Sequence, residues 1–325
     1  MKVIVIGLGS MGKRRIRLIK QYDENIEIIG VDTNALRCQE VQETFGIETF
    51  EELQQALVLH PDCAFVTTSP VTHVSIIKCC LENNMHVFTE LNLVSDGYEE
   101  NQKLAQNRGR VLFLSSTMLY RRETEYIANR VREQKQLLHY QYHIGQYLPD
   151  WHPWENYKSF FIGDRRTNGC RELFAIELPW LERTFGEIEE IKVIKSKLTS
   201  LDIDYPDCFA VIIKHAAGHV GTLNINVVSR KAVREFKLIG EQIYLSWNGT
   251  PNSLQEYCIE KNADIPINLY ETIDKLSGYS ENIIENAYLC EIEEFFMTIA
   301  GKVVPRYSFS KDTEILQAID KIEGK

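Results

Sequence analysis

Lys2-Val3-Ile4-Val5-Ile6-Gly7-Leu8-Gly9-Ser10-Met11-Gly12 decides the reading of this chain. An unbroken apolar run meets a Gly-x-Gly-x-x-Gly turn and passes straight into a helix-like stretch near 11–21. Each glycine has its own physical reason. The first permits a tight turn, the second lets backbone approach a pyrophosphate, and the third lets the helix pack on the strand. The start of the helix then offers unpaired amides and the positive end of its dipole to phosphate. Gly7, Gly9, Ser10, Met11 and Gly12 are candidate cofactor contacts, with positive charge added by Lys13, Arg14, Arg15 and Arg17.

The second apolar run, Ile26 to Val31, ends in Asp32, 20 residues after Gly12. A carboxylate there accepts hydrogen bonds from the adenosine ribose and repels a 2′-phosphate, which favours NAD over NADP. Arg37 keeps NADP open, and the plainer role for Asp32 is to cap the helix that starts at Thr33. Further apolar runs at Cys63 to Val66, His86 to Phe88 and Val111 to Leu114 alternate with helix-like stretches near 33–45, 71–83 and 96–108. Continuous apolar strands separated by helices predict a doubly wound parallel sheet, buried on both faces.

The texture changes near Tyr120. A helix-like stretch, Glu123 to Arg132, leads into a mixed polar and aromatic run at 137–147, followed by strand-like runs at 188–199, 208–214, 218–228, 232–239 and 242–247. Strands in succession, several joined by short glycine turns, predict a mostly antiparallel sheet with one wet face. The tail is helical, with Ile284, Ala287, Tyr288, Ile292, Phe295, Phe296 and Ile299 on one apolar face. The expected division is a cofactor-binding domain over 1–120 and a substrate and oligomerisation domain over 121–325. Helices at 283–325 are free to pack back on the first domain.

Composition bounds the function. The chain of 325 residues carries 46 acidic and 36 basic side chains, a net charge of −10. That balance argues against a nucleic-acid partner, and no apolar run reaches the ~20 residues that span a bilayer. With a strand opening at Lys2, no signal peptide is expected before the fold. The eight cysteines are scattered with no Cys-x-x-Cys, as expected of reduced thiols in a cytoplasmic protein. No metal-ligand spacing is found.

The segment 143–157 is dense in aromatic and hydrogen-bonding groups, among them His143, Tyr147, Trp151, His152, Trp154 and Tyr157. Aromatic faces with polar groups between them suit a sugar ring, and its two prolines, Pro149 and Pro153, lower the ordering cost of binding. The same residues equally suit a satellite core or a subunit contact. His143 or His152 is a candidate imidazole for proton transfer near neutral pH. Arg165 and Arg166 precede a helix and suit a carboxylate or phosphate, or simply coat an exposed loop.

The chain resembles the glucose–fructose oxidoreductase, inositol dehydrogenase and MocA-like family over nearly its whole length. The resemblance rests on the glycine turn, on Val66-Thr67-Thr68-Ser69-Pro70-Val71-Thr72-His73, on Val87-Phe88-Thr89-Glu90-Leu91-Asn92, on Tyr120-Arg121-Arg122, and on Glu294-Phe295 with Gly301 to Pro305. It implies an N-terminal Rossmann domain, an α+β C-terminal domain on an open, mostly antiparallel sheet, and dimers or tetramers. It also implies hydride transfer between a nicotinamide cofactor and the hydroxyl or carbonyl of a sugar, cyclitol or nucleotide sugar. Thr68, Ser69, Pro70 and His73 would then lie along the cofactor, with Glu90 on the nicotinamide ribose.

Two departures bear on the chemistry. Where such proteins carry Glu-Lys-Pro, this chain has Glu90-Leu91-Asn92, and leucine neither donates a hydrogen bond nor carries charge. Where they place Asp and His four apart on an active-site helix, this chain has Asn168-Gly169, then Glu172 and Ile176. The spacing puts Glu172 and Ile176 on one helix face, so a carboxylate survives and an imidazole does not. Glu172, helped by His152 or His143, is the candidate acid–base group, with Trp151, Trp154, Tyr157, Arg165 and Asn168 as candidate substrate contacts. Pro179 removes a backbone hydrogen bond inside the same helix and predicts a kink or break near Ala175–Pro179. Two alternatives stay open: a non-catalytic NAD- or sugar-binding scaffold, and a lyase or hydrolase that oxidises its substrate transiently.

Overall fold

The structure is a computed structural model that describes residues 1–151, 156–159, 161–276 and 280–325. The chain divides into two compact units, one of Met1–Ser116 with Tyr288–Thr313, the other of Thr117–Ala287 with Glu314–Lys325.

The first unit is built on six parallel strands: β1 (Lys2–Ile6), β2 (Glu27–Val31), β3 (Glu48–Phe50), β4 (Cys63–Val66), β5 (His86–Thr89) and β6 (Leu112–Leu114). Their order is β3-β2-β1-β4-β5-β6, so the winding reverses between β1 and β4, where open α/β sheets bind ligands beyond the strand ends. The helices are α1 (Ser10–Tyr22), α2 (Ala35–Phe45), α3 (Leu53–Leu57), α4 (His73–Glu82) and α5 (Tyr98–Arg108). All four residues of β4 are buried, as a strand covered on both faces must be. One face packs Ile4, Ile29, Val66, Ile77 and Val87 into a cluster. On the other, Phe65, Phe88 and Phe113 stack at 4.8 and 5.2 Å between centroids. The ring of Phe295 meets all three edge-on, 5.3–5.8 Å away. Phe295, from the apolar face expected of the tail helix, is thus spent on this sheet. The short β3 and α3 had no signal in the sequence, since Glu48-Thr49-Phe50 is an edge strand of three residues.

The second unit carries β7 (His139–Gly145), β8 (Ile188–Ser196), β9 (Cys208–His215), β10 (Val220–Asn226), β11 (Val233–Gly240), β12 (Ile243–Trp247), β13 (Gln255–Cys258) and β14 (Ala263–Pro266). The order is β14-β13-β12-β11-β7-β10-β9-β8, and every pairing is antiparallel except β7 with β10. Alternation is clean in β9, whose Phe209, Val211 and Ile213 are buried while Ala210, Ile212 and Lys214 are exposed. The buried face meets α7 (Gly169–Phe185), with Trp180 against Tyr142 and Phe236 at 5.5 and 5.2 Å and Phe174 against Phe209 at 5.5 Å.

Of the kink or break expected near Ala175–Pro179, the break is not there: α7 runs continuously through Pro179 to Phe185. One interior proline costs about 3 kcal/mol, but Phe174, Leu178, Trp180, Leu181 and Phe185 are all at most 1% exposed. Each such burial contributes roughly 1.5–3 kcal/mol, so packing outweighs the lost hydrogen bond. Among the described residues, no helix is long and apolar enough to cross a membrane.

Candidate functional site

In the first unit the three glycines do different work. Gly7 sits at φ +96°, and a Cβ on it would lie 2.9 Å from the Thr67 backbone and from Thr68 Cγ2. A Cβ on Gly12 would lie 1.9 Å from the Gly7 carbonyl oxygen, so helix and turn touch there. Around Gly9 a Cβ would meet nothing within 4 Å. The middle glycine therefore faces an open cradle that a side chain would fill. It is also the N-cap of α1 and supplies no capping side chain, and the first turn holds no acid, which leaves the helix amides to an anion. These residues fit a dinucleotide.

Asp32 takes up the turn from below. Its carboxylate accepts from the Leu8 amide at 2.7 Å and the Asn34 amide at 2.9 Å, with Arg37 Nη1 at 3.7 Å. The capping alternative is not what forms, because Asn34 caps α2 by accepting from Leu36 and Arg37 amides at 3.0 and 3.4 Å. Each carboxylate oxygen of Asp32 keeps a second lone pair for a ribose. At the end of β4, Thr67 Oγ1 donates to the Gly7 carbonyl at 2.6 Å. Pro70 opens a short 3-10 turn after Ser69. His73 is 2% exposed, with Nε2 3.0 Å from the Thr68 carbonyl and Nδ1 2.5 Å from Asn92 Oδ1. Burial holds its pKa below the usual histidine value. The imidazole thus braces the Thr68 loop.

Two residues of the basic run after Gly12 are engaged within the protein. Lys13 pairs with Glu40, and Arg15 is wholly buried. Arg15 donates to Glu90 at 2.5 and 3.2 Å and to Glu291 at 2.8 Å. Burial works against its charge, but the two carboxylates outweigh it and raise the pKa. Glu291 also accepts from Ser115 Oγ at 2.9 Å and the Ser116 amide at 2.8 Å. Glu90, expected on the cofactor ribose, is here the bidentate partner of Arg15. No spacing rule in the sequence ties residues 15, 90 and 291 together.

In the second unit the first turn of α7 is heavily braced. Asn168 caps it, accepting from the Arg171 amide at 2.8 Å, and its Nδ2 donates to Glu323 at 2.6 Å and the Arg165 carbonyl at 3.1 Å. Arg171 donates to Glu323 at 2.5 Å and Asp320 at 2.8 Å, from α9 (Phe309–Glu323), which follows α8 (Glu285–Ile299). Next in sequence stands Glu172. Its Oε2 is shielded from solvent and has no hydrogen-bond partner among the described residues. Burial alone pushes this carboxyl up to about 7. Ile176 lies one turn on, partly buried.

Glu177 is a residue the sequence reading missed. It is fully buried and accepts from Tyr142 Oη at 2.7 Å and Trp180 Nε1 at 2.8 Å, with Arg234 at 2.7 Å. The available signal was a lone carboxylate in the apolar run Phe174 to Leu178.

Of the described residues of the aromatic segment, Trp151 lies against the start of α7. Trp151 donates from Nε1 to the Gln146 carbonyl at 3.3 Å, and its Cη2 would lie 3.5 Å from a Cβ on Gly169. Tyr157 Oη accepts from the Asp202 amide at 3.3 Å. Arg165 is exposed. His143 does not join Glu172: the β7 pleat turns Tyr142 toward α7 and His143 to the opposite face, where Nε2 lies 3.1 Å from Asn226 Nδ2. There it lines a concavity of about 710 Å³ with Lys192, Ile194, Ile212 and Lys237. His152 and Trp154 lie outside the described residues. Among the described residues no cluster of His, Cys, Asp or Glu could hold a metal ion.

Residues 1–116 match the oxidoreductase family described as having an NAD-binding Rossmann fold, the family of the resemblance. No curated protein sequence matches the chain. Among solved structures the chain is similar to UDP-N-acetylglucosamine 3-dehydrogenase GnnA from Acidithiobacillus ferrooxidans, with 18% identity, 100% of this chain and 97% of that one covered, and a TM-score of 0.76. A levoglucosan dehydrogenase in complex with NADH and L-sorbose gives 14% identity, 100% and 96% coverage, and 0.80. Biliverdin reductase from Synechocystis sp. PCC 6803, in complex with biliverdin and NADP+, gives 15%, 99% and 97%, and 0.75. At these identities the likeness is one of fold.

Proposed function

From the oxidoreductase family that residues 1–116 match, we propose that this protein moves hydride between NAD and a hydroxyl or carbonyl of a sugar, cyclitol or nucleotide sugar. The observation that carries the reading is Glu172, a carboxyl with one sealed oxygen that has no partner among the described residues and a pKa of about 7. A group poised near neutrality can both take and return a proton. The nicotinamide, when bound, supplies or accepts the hydride. Gly9 and the α1 amides hold the pyrophosphate, and Asp32 holds the adenosine ribose and disfavours NADP, with Arg37 beside it. Thr68, Ser69, Pro70 and Glu90 line the rest of the cofactor path, with His73 bracing it. Glu172 removes the hydroxyl proton in oxidation and donates it in reduction. Trp151, Trp154 and Tyr157 offer faces to the sugar, Arg165 and Asn168 polar contacts, and His152 a second proton carrier.

The partner proposed for the outer sheet face is a second copy of the chain, as a homodimer or homotetramer acting in the cytoplasm. Ile194 and Ile212 are 76% and 49% exposed there, beside the 710 Å³ concavity, and such apolar exposure suits an interface.

The test is titration with NAD and NADP followed by a screen of sugars and nucleotide sugars at the nicotinamide absorbance band. Glu172→Gln should lower turnover at least ~10²-fold, and unchanged turnover removes Glu172 from the chemistry. The second reading, a binding scaffold without chemistry, is favoured by Leu91 and Ile176 where the family has lysine and histidine. Tight NAD and sugar binding with no change at the nicotinamide band would establish it.

A further inference from the structure

Three loops of the second unit meet at Gly169. A Cβ on that glycine would lie 2.9 Å from Leu148 Cδ1, 3.1 Å from Val227 Cγ1 and 3.5 Å from Trp151 Cη2. The segment after β7 is laced to the one after β10 by the Gln146 amide on the Asn226 carbonyl at 3.3 Å and the Leu148 amide on the Val227 carbonyl at 3.0 Å. Asn226 Oδ1 then knots the following turn, accepting from the amides of Val228 and Ser229 at 3.1 and 3.0 Å and from Ser229 Oγ at 2.8 Å. Gly145 is required beside it, because a Cβ there would fall 2.7 Å from Asn226 and Ser229 side-chain atoms. This braced turn presents Arg230, whose guanidinium lies over the Tyr147 ring, 3.6 Å from its centroid.

Among the described residues the charge of Arg230 has no ion-pair partner. Arg15, Arg121, Arg130, Arg171, Arg234 and Arg306 each hold a carboxylate. Among the described residues the exposed guanidiniums of Arg230 and Arg165 have no hydrogen bond or ion pair, and neither has the adjacent ammonium of Lys231. Arg165 enters the same corner, its carbonyl held at 3.1 Å by the α7 cap Asn168. In a chain with net charge −10, unpaired cations on loops converging at the start of the Glu172 helix are a specific arrangement. Stacking on an aromatic ring fixes the guanidinium plane and leaves its edge N–H groups free for a bidentate oxyanion.

We propose that Arg230, stacked on Tyr147 and assisted by Arg165 and Lys231, binds an oxyanion of the substrate, a phosphate or a carboxylate, so that the sugar this protein accepts carries a negative charge. The inference rests on the sugar-oxidoreductase reading and narrows its substrate class. The test uses the full chain saturated with NAD, and inorganic phosphate, inorganic pyrophosphate and acetate as probes, read by titration calorimetry. Wild type should bind at least one probe saturably, and the phosphate and acetate arms tell which oxyanion the loops take. Arg230→Ala should weaken that binding roughly tenfold or more. Arg230→Lys should recover part of it, since lysine keeps the charge and loses the planar fork. Melting temperature and NAD affinity should stay at wild-type values, because the side chain is exposed. No saturable probe binding by wild type, or undiminished binding by Arg230→Ala, overturns the proposal. NAD affinity is measured first: a chain that binds NAD and no probe loses only this inference. A chain that binds no NAD loses the oxidoreductase reading, and the probe titration then decides this one without cofactor.

Discussion

Replacing Glu172 with glutamine should flatten part of the pH dependence of stability, and the effect can be read without knowing the substrate. Burial raises this carboxyl from 4.5 to about 7, so the folded state prefers it protonated. Its stabilising contribution is complete below the unfolded value of 4.5 and is lost as pH rises through about 7. At about 1.36 kcal/mol per pKa unit, the difference between about 7 and 4.5 sets a loss of up to about 3 kcal/mol on reaching pH 8. Glutamine has nearly the same shape and no charge, so the variant should match wild type near pH 4.5 and exceed it by up to about that amount at pH 8. The assay is calorimetric or urea unfolding of both proteins at half-unit steps from pH 4.5 to 8. His73, His215 and His219, whose pKa values burial lowers, are common to both proteins and cancel in the difference. A wild-type-minus-variant difference that stays constant across this window refutes the shielded carboxyl, and with it the acid–base role.

Other perturbations separate the parts of the fold. Gly9→Ala should weaken NAD binding at least tenfold with little change in melting temperature, because its Cβ enters open space. Gly12→Ala should destabilise the first unit outright, with its Cβ 1.9 Å from the Gly7 oxygen, and a chemical-denaturation comparison distinguishes the two. Arg15→Ala strands Glu90 and Glu291 in the interior and should cost about 3–5 kcal/mol in urea unfolding. Glu323→Ala removes one partner from each of Asn168 and Arg171 at the head of α7. It should let water reach Glu172, whose titration, followed by carboxyl-carbon NMR, should move down toward 4.5.

Much of the fold was legible because its signals are local. Buried parallel strands are apolar along their whole length, so β1, β2, β4 and β5 are visible as runs, and the alternation in β9 shows a sheet with one wet face. The three-residue β3 and the short β13 and β14 lie at sheet edges, where few side chains are buried and no pattern forms. Pro179 does not end α7, because propensity counts one lost hydrogen bond while the surrounding buried side chains hold the helix together. The candidate site was legible only where one stretch of chain makes it: the Gly7–Gly12 turn, Asp32, and Glu172 on its helix. Which face His143 takes was not legible, because a pleat reverses direction at every residue and sequence proximity to an aromatic loop does not set the face.

The sequence by itself determined the parallel and antiparallel halves, the glycine turn and the carboxylate at 172, since each depends on residues within a few positions of one another. Only the tertiary structure decided what those groups face. It buried Arg15 between carboxylates 75 and 276 residues away. It shielded one oxygen of Glu172 so that its proton is held near neutrality, and it brought Arg230 onto Tyr147 with no ion pair among the described residues. The physical reason is that desolvation and ion pairing depend on what surrounds a group in space, and chain order carries no record of that surrounding.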